Sequence, residues 1–183
     1  QFATIMLDNK NAKVEIKNGS LSDVNAARGT VYVQQGEVTL TNVNVTASIR
    51  GVGIGPGVKG YYGKATLNAG TTITATESGV GIFGPNDGVT PKSELIVNEG
   101  VSITSQLYGI AGNGTNDDTI ITINGGTVSA TGWTDSATGV TYATASYRPQ
   151  QGTLNIKGGT IEGKVGVQMA AGTAVIEGGT LRS

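Results

Sequence analysis

The sequence predicts an all-β chain wound as a right-handed parallel β-helix, with three short strands per coil and about seven coils. Three observations carry that expectation. An apolar-x-apolar strand running into a glycine-rich bend returns along the chain. It is clearest in Ile121-Thr-Ile-Asn-Gly-Gly-Thr-Val128, Leu154-Asn-Ile-Lys-Gly-Gly-Thr-Ile161 and Ala174-Val-Ile-Glu-Gly-Gly-Thr-Leu181. Within each copy apolar and polar residues alternate at period two, and no stretch keeps the helical period over a helical length. The copies lie between 20 residues apart (Leu154 to Ala174) and 33 apart (Ile121 to Leu154), so the variation falls in turns between strands of constant size.

Each element follows from this repeat. The first strands begin at Val14, Val38, Ala65, Leu95, Ile121, Leu154 and Ala174. They turn Val14, Leu40, Leu67, Val97, Ile123, Ile156 and Ile176 inward. Beyond the bend, a second strand contributes one inward residue per coil: Leu21, Val45, Ile73, Ile103, Val128, Ile161 and Leu181. A third strand reads Val31-Tyr-Val33, Val52-Gly-Ile54, Val80-Gly-Ile82, Tyr108-Gly-Ile110, Val140-Thr-Tyr142 and Val165-Gly-Val167, which makes Tyr142 a core residue. Residues 2–7 read as the last strand of an earlier coil, and residues 179–183 stop inside a second strand. One coil cannot bury its own rungs, so stability has to come from stacking. Both ends are expected to be open and uncapped. Residues 1–183 are expected to form one β-helix domain, a segment of a longer protein.

Composition narrows the function classes. The chain has 183 residues, net charge −1, 14% charged residues, no Cys and no His. Ser–His and Cys–His nucleophilic chemistry is therefore excluded, as are zinc sites of the usual ligand type. A balanced charge gives no electrostatic footprint for nucleic acid. No apolar run reaches the length of a membrane-spanning helix, so membrane insertion is not expected.

The Gly-Val-Gly-Ile strings at 51–54 and 79–82, the Gly-Gly-Thr-apolar bends and the short Asn/Gly loops resemble the glycine-rich β-helix repeats of Gram-positive cell-surface adhesin-like proteins. That family has a pectate-lyase-like superfamily fold, and the resemblance covers essentially the whole chain. It implies an extracellular, bacterial cell-surface location and a non-catalytic binding or scaffold module. The partner would be a glycan or a protein on a host or neighbouring cell. A polysaccharide lyase or hydrolase fragment, and a structural stalk or filament subunit with end-to-end self-association, stay open as alternatives.

Alternation also assigns the outward faces. The third-strand face would show Tyr32, Gly53, Gly81, Gly109, Thr141 and Gly166. Glycine inside a strand eases its bend, lets a loop fold over it, or marks a place where a ligand approaches closely; on the last of these readings Gly53, Gly81 and Gly109 would form a bare floor. The turns after that strand, at 55–64, 84–93, 112–119 and 143–152, would form a wall beside it. This wall would carry Tyr61, Tyr62, Tyr147 and Arg148. Aromatic rings next to carboxylates and amides suit sugars, and variable loops on a rigid scaffold are where binding usually sits. No cofactor is expected except calcium, for which Asp87, Asp117 and Asp118 supply oxygen ligands of the right kind. No catalytic residues are assigned, because the remaining carboxylates are scattered.

Overall fold

The computed structural model describes residues 2–85, 87–112, 119–134, 141–142, 145–148, 152–169 and 172–183. The strands in chain order are β1 (Ile5–Ser22), β2 (Val31–Ala47), β3 (Arg50–Ile54), β4 (Gly63–Asn68), β5 (Thr72–Ala75), β6 (Ser78–Ile82) and β7 (Ser93–Val97). Then come β8 (Ser102–Ser105), β9 (Tyr108–Gly112), β10 (Thr119–Ile123), β11 (Thr127–Ala130), β12 (Trp133–Thr134), β13 (Thr141–Tyr142) and β14 (Ala145–Arg148). The last are β15 (Thr153–Ile156), β16 (Thr160–Glu162), β17 (Val165–Val167), β18 (Thr173–Ile176) and β19 (Thr180–Arg182). The described residues contain no helix.

Parallel pairing joins all of these strands except β12 and β13 into three ladders, so the chain is an all-β parallel β-helix. The first ladder runs β1, β2, β4, β7, β10, β15, β18 and puts Val14, Val38, Ala65, Leu95, Ile121, Leu154 and Ala174 at one register position. The second uses the later halves of β1 and β2, then β5, β8, β11, β16 and β19, and aligns Leu21 with Val45, Ile73, Ile103, Val128, Ile161 and Leu181. The third begins with the early parts of β1 and β2 and continues through β3, β6, β9, β14 and β17. The core is the space the ladders enclose. Leu40, Leu67, Val97, Ile123 and Ile156 are fully buried, Val14 is half-buried and Ile176 is 52% exposed.

The bend between first and second strands explains the Gly-Gly-Thr signature. Its second glycine has positive φ at Gly126 (82°) and Gly159 (86°), a region costly for a residue with a Cβ. The glycine before it is limited by space: a Cβ on Gly158 would lie 2.6 Å from the Asn124 carbonyl oxygen of the preceding coil. In β1 and β2 the left-handed residue comes one position earlier in the bend, and Asn18 (φ 56°) and Asn42 (φ 54°) take that conformation themselves. Asparagine tolerates that region better than most side chains.

Two register expectations need correction. Gly109 does not stack on Gly81, which pairs with Ala111; Gly109 belongs instead to the column of Gly51 and Gly79. Thr141 and Tyr142 are not a third-ladder rung, and Tyr142 is not aligned with Ile54 and Ile82. They pair antiparallel with Thr134 and Trp133. The rung is β14, in which Tyr147 pairs with Ile110 and Val167.

Candidate functional site

The third-ladder face is covered where a bare glycine floor was expected. A Cβ on Gly53 would lie 2.0 Å from the Arg28 carbonyl oxygen, so the segment before β2 lies directly on this strand. Over Gly81 lies the Arg50 side chain, whose Nε would be 2.4 Å from an added Cβ. Glycine is therefore required here by close approach within the chain. Around these contacts the face is aromatic and cationic. Phe2 meets Tyr32 edge-on with ring centroids 5.6 Å apart, Arg28 lies 5.8 Å from the Phe2 ring, and Arg50 lies 5.1 Å from the Phe83 ring. Such contacts strengthen as they are desolvated.

Charge on this face is held in place. Arg50 pairs with Glu77 at 3.4 Å. Burial pulls the Arg50 guanidinium below its ordinary value, with Glu77 acting against that shift. Burial also pushes the Tyr32 hydroxyl up, opposed by Arg28 and Arg50. Nearby, Asp23 accepts hydrogen bonds from the Thr30 and Ser48 hydroxyls and from the Ala26 amide at 2.8 Å. Burial works to raise its pKa, but these donors together outweigh it and hold the carboxyl below the ordinary 3.8.

The loops after the third strand have their own architecture. Asp87 Oδ1 accepts from the amides of Val89 (3.0 Å) and Thr90 (2.7 Å), and Oδ2 accepts from the Thr90 hydroxyl (2.7 Å). The Thr90 hydroxyl oxygen in turn accepts the Gly60 amide at 2.9 Å, tying one loop to the loop of the preceding coil. The Thr90 hydroxyl, then its amide and that of Val89, lower the Asp87 pKa. Asp87 is thus a loop brace. Asp117 and Asp118, the other calcium ligands expected, lie outside the described residues. No group of three or more carboxylates able to hold a metal occurs among the described residues.

That brace sets the position of two adjacent tyrosines. Tyr61 borders a depression of about 240 Å³ shared with Gln34, Pro56 and Val58. Tyr62 borders another, of about 270 Å³, at the head of the first ladder. The structure thus keeps Tyr61 and Tyr62 on one loop but separates them from Gly53 and Gly81, which are covered, and from Gly109, which is in another column. Tyr147 and Arg148, expected in the wall, fall within β14 of the third ladder.

Two features of the first ladder escaped the sequence reading. Lys13, Glu37, Lys64 and Glu94 occupy one register position on successive rungs, with Lys13–Glu37 at 3.5 Å and Lys64–Glu94 at 2.9 Å. At the following bend the asparagine amides form hydrogen-bonded pairs between coils. Asn42 donates to Asn18 (2.9 Å), Asn98 to Asn68 (2.8 Å) and Asn124 to Asn98 (2.8 Å). Both patterns could have been found by aligning the repeats one position before and three or four after each first-strand start. A third concavity, of about 340 Å³, follows the second turns and is lined by Ser48, Ile49, Thr76, Glu77, Gln106 and Leu107.

No known family model matches the chain, and no curated protein or solved structure matches it.

Proposed function

We propose that this chain is a non-catalytic extracellular binding and scaffold module of a bacterial cell-surface adhesin-like protein. It engages glycan through the loops that follow the third strands. The observation that carries the reading is the braced pair of tyrosines. Tyr61 and Tyr62 are half-buried, sit on a loop tied by Gly60 to Thr90, and open into separate depressions beside polar groups. A ring held in place loses little entropy on binding and offers a flat apolar surface to a sugar face. The covered third-ladder face supports a scaffold role for Arg28, Arg50 and the glycines beneath them, and moves the binding surface to the loops.

Glycan-array binding by the parent chain and by Tyr61→Ala/Tyr62→Ala tests this reading. Loss of the bound glycans in the double variant, with an unchanged melting temperature, is the expected result. Unchanged binding would remove the loops from the site. Turnover of a polysaccharide by the parent would replace the binding module with an enzyme.

A further inference from the structure

We propose that the depression beside Tyr62 binds an anionic polysaccharide, one carrying carboxylate or sulfate groups, laid along the axis of the β-helix. The inference rests on the glycan-binding reading above and adds the charge and direction of the ligand.

The depression is lined by Lys10, Lys64 and Lys92 together with Tyr62 and Pro91, and its carboxylates are Glu37 and Glu94. Both carboxylates are already paired, Glu37 with Lys13 and Glu94 with Lys64. Lys10 and Lys92 are exposed and form no ion pair among the described residues. Four ammonium groups (Lys10, Lys13, Lys64, Lys92) against two carboxylates leave two positive charges here, on a chain whose net charge is −1. The surplus is therefore local. Tyr62 and Pro91 add apolar surface to the same depression, which suits a ring with charged substituents better than a bare ion.

Direction follows from the ladder. Residues bordering the depression come from successive rungs, Glu37 pairing with Lys64 and Lys64 with Glu94, so it runs across the strands. Lys92 also borders a second depression, of about 160 Å³, formed by Gly152, Thr153, Gly172 and Thr173 farther along the axis. Thr153 and Thr173 pair with each other on the same ladder. A linear polymer parallel to the axis meets both depressions, with Lys92 between them.

The test is calorimetric titration of the full chain with dextran sulfate, hyaluronan, neutral dextran and a single-stranded oligonucleotide. It is run at about 0.05 M and about 0.5 M NaCl, which shortens the screening length several-fold. Binding of dextran sulfate or hyaluronan at least tenfold tighter than neutral dextran, and weakened at high salt, is expected. Which of the two binds identifies the anionic group. Lys10→Gln/Lys92→Gln should lose about tenfold or more in affinity, roughly 1.4 kcal/mol, while Lys157→Gln, exposed at the bend after β15 and outside both depressions, should bind as the parent does. Equal binding of the oligonucleotide would reduce the site to unspecific charge attraction and overturn the proposal. If the double lysine variant keeps anionic binding while Tyr61→Ala/Tyr62→Ala abolishes glycan binding, this inference falls and the broader reading stands. If no polysaccharide binds the parent, both fall.

Discussion

At the scale of single residues, alternation decides what a substitution costs. Ile123 is fully buried at the centre of the first ladder, and its neighbour Thr122 faces out. Ile123→Ala removes methyl and methylene groups and leaves a cavity, which typically costs about 2–5 kcal/mol. Thr122→Ala should stay within about 0.5 kcal/mol. Denaturant melts of the two variants check this, and equal shifts would contradict the alternation. The covered glycines make a second contrast. Gly53→Ala drives a methyl into the backbone carbonyl of Arg28, whereas Gly81→Ala meets only side-chain atoms of Arg50, which can shift without moving backbone, at a cost to its contacts with Glu77 and Phe83. Overpacking of the first kind costs about 1–3 kcal/mol, so Gly53→Ala should melt clearly below Gly81→Ala. A third contrast concerns pH. Burial works to raise the Asp23 carboxyl, but hydrogen bonds from Ser48, Thr30 and Ala26 outweigh it and hold the group below its ordinary value. Its contribution is therefore fully present above the unfolded value of about 3.9 and is lost as pH falls through the lower folded value. Asp23→Asn should flatten the fall in melting temperature as pH drops through and below the unfolded value of about 3.9.

At the scale of elements, the bends are as informative as the strands. Asn98 donates to Asn68 and accepts from Asn124, so one side chain joins three coils. Asn98→Ala breaks both bonds at a partly exposed position. At about 1 kcal/mol net for each hydrogen bond, a loss of about 1–2 kcal/mol is expected in thermal melts, with the repeat register unchanged. The first and second ladders were legible because their apolar residues recur at a fixed distance from the bend. The third was legible only in part. Matching one Gly-x string to another set Gly109 over Gly81, but the turn lengths decide the pairing. Two residues separate Ala75 from Ser78, and two separate Ser105 from Tyr108, so Tyr108 falls opposite Ser78 and Gly109 opposite Gly79. The longer stretch after Ala130 hid β14, because Thr141 and Tyr142 carry the same alternation yet pair with Trp133 and Thr134. That chain folds over the glycines of the third face was one open reading of the sequence, but which segments supply the cover was not legible. Nothing local to Gly53 or Gly81 records that Arg28 and Arg50 lie over them. The two loop tyrosines were legible because turn residues are recognised by type, but their separation into two depressions depends on the Gly60–Thr90 tie between coils.

At the scale of the whole molecule, each rung touches only its neighbours, so stability is a sum along the axis with the middle favoured. Leu67, Leu95, Ile121 and Leu154 have paired rungs on both sides and are fully buried. Among the described residues, β1 pairs in the first ladder with β2 and β18 with β15, and Ile176 and Leu181 are 52% and 42% exposed. Backbone hydrogen bonds with one neighbouring strand open at lower cost than those flanked on both sides. Amide exchange should therefore be slowest for β4, β7 and β10 and fastest for β18 and β19, with a graded change between them. Ile176→Ala should shift the melting midpoint by less than half as much as Ile123→Ala, because half of its side chain is already in water. Uniform protection along the axis, or equal shifts for the two isoleucine variants, would mean that the chain unfolds as one unit and that coil-by-coil addition does not describe its stability.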